Sequence, residues 1–407
     1  MIINNLSNIE NRTLFLPKDE NNRIINIYSL KDCCFVGDNL FYPNCLVYSC
    51  EENKLFNPLE EKIMSLKDVE NKTNFSFTKQ NLLEVNNTVF YFIYNTDNYF
   101  HFIYDSLPYL YTFLHLKKQN KNLKLLMNYP NLFKKENYKF VDEILNLLDI
   151  KSEDIIYVNN KSKYKKVLFS SSYTHGIDSN LPPRNEIHEM YNTLKNKISK
   201  IDTNKTPKKI YVSRRTWIHN NLSNIGTNYT TKRKMVNEDE LVTVLKHKNF
   251  EEVFTENLST IEKINLFINA EYIVGAIGGG MCNLLFCERL IKAVTICSPE
   301  FLNVNKRFLF SINHKNNVLC KNNHHATNEI YKKYMRVKTN DGIVGEICNI
   351  TNDFITIEYS KNKVAGWNLQ QKFKTKNVLK NNVTLLDNGL NSEWVCNIEE
   401  VMKQIQC

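Results

Sequence analysis

The sequence lacks most of the features that place a chain quickly. No CxxC occurs among its 11 cysteines, an odd number. At 407 residues the chain is too long for a disulfide-stapled scaffold, so a reducing compartment is the simpler reading. Cys282, Cys287 and Cys297 lie in apolar runs and read as small core residues. Met1-Ile-Ile-Asn-Asn-Leu has no basic segment followed by an apolar one, so no secretory signal is read there. No apolar run reaches the roughly 20 residues of a bilayer span. The most apolar stretch, from about Val89 to Leu116, is broken by Asn95, Asp97, Asn98, His101 and Asp105. These absences predict a cytoplasmic protein with no transmembrane segment. There is no long Lys/Arg block either. The net charge of +10, from 53 Lys+Arg against 43 Asp+Glu, is scattered and often sits beside Asn. That fits an enzyme with a phosphate-bearing substrate better than a nucleic-acid surface. Neither GxGxxG nor a Walker loop is present, which disfavours a dinucleotide dehydrogenase or an NTPase.

What is present is enough apolar material, 42% of residues, for two cores. The first ~80 residues read as short strands and loops. From Asn86 strands and helices alternate: strands at Val89–Tyr94, Leu123–Met127, Ile155–Val158 and Lys166–Ser171, and helices at Tyr99–Lys117 with Asn98 as N-cap, Leu132–Leu148 and Pro183–Ser199. Polar Ile201–Lys209, with Pro207, reads as a linker. A second alternating series follows. Its strands are Ile210–Ser213, Glu251–Phe254, Tyr272–Ala276 and Lys292–Cys297. Its helices are Glu238–His247, Thr260–Ala270 and Met281–Cys287, with capping-box spacing at Asn237/Glu240 and Ser259/Glu262. Such alternation predicts parallel sheets covered by helices. Arg336–Leu386 alternates apolar and polar residues, as an antiparallel module does, and Ile398–Ile405 reads as a terminal helix. The expected domains are 1–200, 205–330, 335–390 and 397–407, with a cleft between the first two.

Four constellations carry candidate chemistry. In Asn98-Tyr-Phe-His101-Phe-Ile-Tyr-Asp105, the His and Asp share one helix face and are suited to taking a proton from an attacking hydroxyl; the same spacing is common in plain surface pairs. Tyr211-Val-Ser213-Arg214-Arg215 puts planar cations just past a strand end, where phosphates bind, or where a basic turn sits. Arg233-Lys-Met-Val-Asn237-Glu238 brings another Arg to a helix start that Asn237 is placed to cap. In Gly275-Ala-Ile-Gly278-Gly279-Gly280-Met-Cys-Asn283, glycines between strand and helix allow backbone to approach a phosphate, or simply make a tight turn. Cys320, His324 and His325 fall short of a metal set because a fourth ligand is not evident, and His175-Gly176 follows a strand end.

In order and spacing, this series from residue 85 to 312 resembles glycosyltransferase family 61, most closely from Lys208 to Pro299. The resemblance implies a GT-B fold of two Rossmann-like domains facing a cleft. It also implies inverting transfer from a nucleotide donor, a UDP-sugar, to a glycan or glycoconjugate hydroxyl, without metal or other cofactor. His101 and Asp105 match the family's pair, with Asp105 first in line as general base. Ser213, Arg214 or Arg215, Arg233, Asn237 and Glu238 fall on the donor side. Gly275, Gly278, Gly279 and Gly280 approach the phosphates, and Asn283 fixes their loop. Ile277 stands where the family usually has His, and Thr295 where it usually has Glu, a partner for ribose hydroxyls. The segment 336–386 is extra to the family pattern. The alternatives are a degenerate relative that binds nucleotide or glycan without turnover and a nucleic-acid-binding protein. The latter predicts affinity falling steeply with salt.

Overall fold

The computed structural model describes residues 3–4, 25–36, 46–58, 62–64, 82–93, 98–128, 136–159, 161–174, 187–198, 206–215, 233–301, 306–312, 316–324, 329–359 and 374–406. His175, Gly176, His325, the expected starts of two helices (132–135 and 183–186) and linker residues 201–205 lie outside them. The chain divides into two compact units, the second beginning at Thr203.

The first unit is built on a nine-stranded sheet. Its N-terminal strands are β1 (Ile3–Asn4), β2 (Ile27–Val36), β3 (Leu46–Ser49), β4 (Lys54–Asn57) and β5 (Lys62–Met64). The remaining strands are β6 (Leu83–Tyr91), β7 (Lys124–Met127), β8 (Ile155–Tyr157) and β9 (Ser162–Ser170). Eight of them run in the order β5-β4-β3-β2-β9-β6-β7-β8, and β1 pairs with β2 off this path. Strands β9, β6, β7 and β8 are parallel, as strand–helix alternation predicts. The half from β5 to β2, and its join to β9, is antiparallel. Antiparallel neighbours can be joined by a tight turn, as residues 50–53 join β3 to β4, whereas parallel neighbours need a longer crossover. Val89, Phe90 and Tyr91 of β6 are fully buried, as both faces of a central parallel strand must be. Four helices complete the described unit: α1 (Tyr99–His101), α2 (Leu107–Gln119), α3 (Lys139–Leu147) and α4 (Ile187–Ile198).

The second unit holds a parallel sheet of β10 (Lys209–Val212), β11 (Glu251–Val253), β12 (Tyr272–Ala276), β13 (Lys292–Cys297) and β14 (Asn317–Lys321), in the order β11-β10-β12-β13-β14. The helices are α5 (Glu238–Lys246), α6 (Thr260–Asn269), the short α7 (Lys306–Ser311) and the terminal α8 (Ile398–Gln406). The Ser259/Glu262 capping box forms in both directions at the start of α6, a feature worth about 1 kcal/mol. The expected helix after the glycines is a 3-10 stretch, Gly280–Phe286. A strand pair, β15 (Asn323–His324) with β21 (Trp394–Val395), ties the chain's end back to this unit. Between them β16 (Arg336–Thr339), β17 (Val344–Ile350), β18 (Phe354–Tyr359), β19 (Lys374–Leu379) and β20 (Val383–Asp387) form the expected antiparallel module. It has its own core of Val337, Ile347, Ile355, Ile357, Val378 and Val383. The architecture is mixed α/β. No helix is long and apolar enough to cross a membrane, among the described residues.

Candidate active site

In the first unit, Asn98 opens the helix by accepting the N–H groups of Phe100 and His101 at 3.0 and 3.4 Å. The turn from Phe102 to Ser106 is π-helical rather than α-helical, a local widening that recurs at functional sites. Its cause is in the sequence. The Leu107 N–H reaches back to Phe102 O, and Pro108 has no N–H to give. The Ile103 carbonyl is therefore left by both of its natural helical donors, and the buried Tyr191 hydroxyl of α4 supplies one at 3.0 Å. Tyr191→Phe keeps the ring and removes that donor. It is expected to lower unfolding stability by about 1–3 kcal/mol, read as an earlier urea midpoint; an unchanged midpoint would show that the hydroxyl does nothing for the turn.

Across this turn His101 Nδ1 lies 2.7 Å from Asp105 Oδ2. The Asp105 side chain is 0% exposed and the imidazole 20%, so the carboxylate sits behind a ring that reaches solvent. The second carboxylate oxygen, Oδ1, accepts the Thr174 hydroxyl at 2.7 Å. Thr174 is itself buried, in the loop that leaves β9. The loop is held by the Thr174 N–H on Ser172 Oγ and by Tyr173 against Thr112. Sequence reading missed Thr174, which stands 69 positions from Asp105. This Thr–Asp–His chain has the form of a general base with a fixed orienting group.

In the second unit β10 lies between β11 and β12, so chain direction across the sheet switches there. Open parallel sheets bind ligands at the carboxyl ends of strands flanking such a switch. Ser213, Arg214 and Arg215 follow β10, and Ile277 and Gly278 follow β12, on this edge. Arg214 spans the switch: its Nη1 donates to Ile277 O at 3.1 Å. A Cβ on Gly278 would stand 2.9 Å from that same Nη1, so this glycine is what admits the guanidinium. Gly275 and Gly280 serve packing, since a Cβ there would meet Met281 Sδ and Val212 Cγ1, each at 2.6 Å. Gly279 faces open space. Asn283 holds the loop by donating to Gly280 O at 2.8 Å.

Glu238, buried at the start of α5, organises the neighbouring turn. Its Oε1 accepts Tyr211 Oη at 2.8 Å, Arg214 N at 2.8 Å and Ser213 Oγ at 3.4 Å. Burial pushes its pKa above the ordinary carboxylate value, against the pull of those donors. Burial also lowers the pKa of Arg214, opposed by the Glu238 charge. Arg215 is differently placed. Its Nε and Nη2 grip Glu252 at 2.6–2.9 Å and its Nη1 meets Asp239 at 2.5 Å, so its planar face is committed to carboxylates of its own unit.

Arg233 has a left-handed backbone, φ 57, and its guanidinium carbon lies 4.1 Å from the centre of the Phe301 ring. Asn237 does not cap α5, contrary to the sequence expectation. Its amide instead pairs with both main-chain groups of Cys396, at 2.8 and 2.9 Å. A long-range partner outcompetes the local N–H groups. Thr295 is buried in β13 with its hydroxyl on Asn317 Oδ1 at 2.8 Å, and the Ile277 side chain is buried too. His324 pairs with Glu300 at 3.1 Å while Cys320 is buried in β14. Among the described residues, no three His, Cys, Asp or Glu are grouped to hold a metal ion.

Comparison with known proteins gives one family. Residues 99–294 match Glycosyltransferase 61. The matching segment includes His101 and Asp105 as well as the arginines and the glycine turn. None of the curated proteins compared matches the chain.

Proposed function

Since residues 99–294 belong to glycosyltransferase family 61, and the chain is thereby a transferase with a donor and an acceptor, we propose that it inverts the sugar of a nucleotide donor, a UDP-sugar, onto a glycan or glycoconjugate hydroxyl. The observation that carries this is the His101–Asp105–Thr174 chain. With Nδ1 held by Asp105 at 2.7 Å, the imidazole takes the acceptor proton at Nε2. The acceptor oxygen then bonds to the anomeric carbon as the bond to the diphosphate oxygen breaks. The geometry favours His101 over Asp105 as the base, because both carboxylate oxygens already accept hydrogen bonds and the carboxyl is buried. In the second unit, Arg214 at the sheet's switch point meets the charge that develops on the leaving diphosphate. Arg233, over the Phe301 ring, grips the same diphosphate when the donor binds. These arginines would meet that charge without a metal ion. The GT-B arrangement belongs to this proposal and is supported by the parallel strands of each unit.

Transfer assayed over a panel of nucleotide sugars, with product configuration read by NMR, tests the proposal. The expected product has the opposite anomeric configuration to the donor, formed at an unchanged rate in EDTA. Retained configuration, or activity lost with EDTA and restored by a divalent cation, would refute it. One observation favours a second reading, in which nucleotide binds without turnover. Ile277 and Thr295 offer no outward polar group where the family resemblance implies two. Tight UDP binding with no transfer across the panel would establish that reading instead.

A further inference from the structure

We infer that the strap formed by residues 391–396, beyond the family-matching segment, is a positioning element of the donor site. The inference rests on the role proposed above for Arg233. The left-handed backbone of Arg233 is uncommon for a side-chain-bearing residue and persists only where its surroundings impose it. The strap imposes it from both sides. The Arg233 N–H donates to Asn391 O at 2.9 Å, and the Arg233 carbonyl accepts the indole Nε1–H of Trp394 at 2.8 Å.

The contact continues along the segment. The Trp394 N–H donates to Lys234 O, and the Val236 N–H donates to Trp394 O, each at 3.0 Å. Asn237 then closes the run with its two bonds to Cys396. From Arg233 to Asn237 the candidate donor segment therefore takes its path from a piece of chain about 160 residues away. The strap is itself fixed. Trp394 is fully buried in a core with Met235, Leu241 and Val401, and the Asn397 N–H donates to Asn322 Oδ1 at 2.8 Å. Rotation of Arg233 out of its left-handed state would swing the guanidinium off Phe301. The strap thus acts on the ligand through Arg233, and Trp394 is a positioning residue that touches no substrate.

Calorimetry with UDP on the full chain tests this. Trp394→Phe keeps the buried ring and loses the indole donor; it is expected to raise the UDP Kd about fivefold, the effect of one hydrogen bond. Asn237→Asp, which keeps the acceptor to Cys396 and loses the donor, is expected to act in the same direction. Val401→Ala, which loosens the same core without touching the strap's bonds, is expected to leave Kd unchanged. In an Arg233→Ala background, Trp394→Phe is expected to add nothing. Undiminished affinity in Trp394→Phe, an equal loss in Val401→Ala, or a full effect without Arg233 would each overturn the inference while leaving the proposed function standing. A wild-type chain that binds no UDP overturns both.

Discussion

Replacing His101 with Ala is expected to lower kcat by two to four orders of magnitude, the usual contribution of a positioned general base. The donor KM is expected to change little. Removing the ring takes away a group needed only once the acceptor hydroxyl begins to lose its proton, so the loss falls on the transition state. The fold is expected to survive, because the imidazole is partly exposed and the cap at Asn98 and the Tyr191 bond do not involve it. Asp105→Asn gives the complementary result. It preserves the shape but offers one donor where two acceptors are needed, for Thr174 Oγ1 and the Nδ1–H. The imidazole is then pushed toward the wrong tautomer, and kcat falls again with unchanged thermal stability as the control.

The second large effect is expected at Arg214. Arg214→Ala should cost about 10²–10³ in kcat, because it removes a cation that the structure places directly across the β10/β12 switch. Lys is not expected to restore the rate, since it lacks a second planar nitrogen to hold Ile277 O while facing the ligand. Arg215→Ala separates the two adjacent arginines. Its guanidinium is engaged by Glu252 and Asp239, so the expected result is a lower Tm with donor KM and kcat near wild type. If Arg215→Ala removed activity and Arg214→Ala did not, the assignment of roles would be reversed.

The sequence disclosed what is local. The His101/Asp105 spacing, the Ser259 capping box, strands Tyr272–Ala276 and Lys292–Cys297 and the antiparallel module all follow from periodicity and spacing over a few residues, and all are present. What stayed hidden depends on partners far along the chain. Thr174 carries no motif and matters only because the loop after β9 arrives at Asp105. Asn237 has the right spacing for a cap, yet a main-chain pair at Cys396 claims it. Nothing near Arg214 and Arg215 distinguishes them in sequence; Glu252, on the next strand of the sheet, does. The π turn had a readable signal, a proline ten residues after an Asn cap, though its satisfaction by Tyr191 is again tertiary. The antiparallel half of the first sheet was visible in the sequence only as short strands without a direction.

The most direct test of the account is the transfer rate of His101→Gly with and without added imidazole. Free imidazole is expected to restore measurable transfer in proportion to its concentration and to do nothing for Asp105→Gly or for wild type. Full activity in His101→Gly without any addition would contradict the claim that this ring is the base.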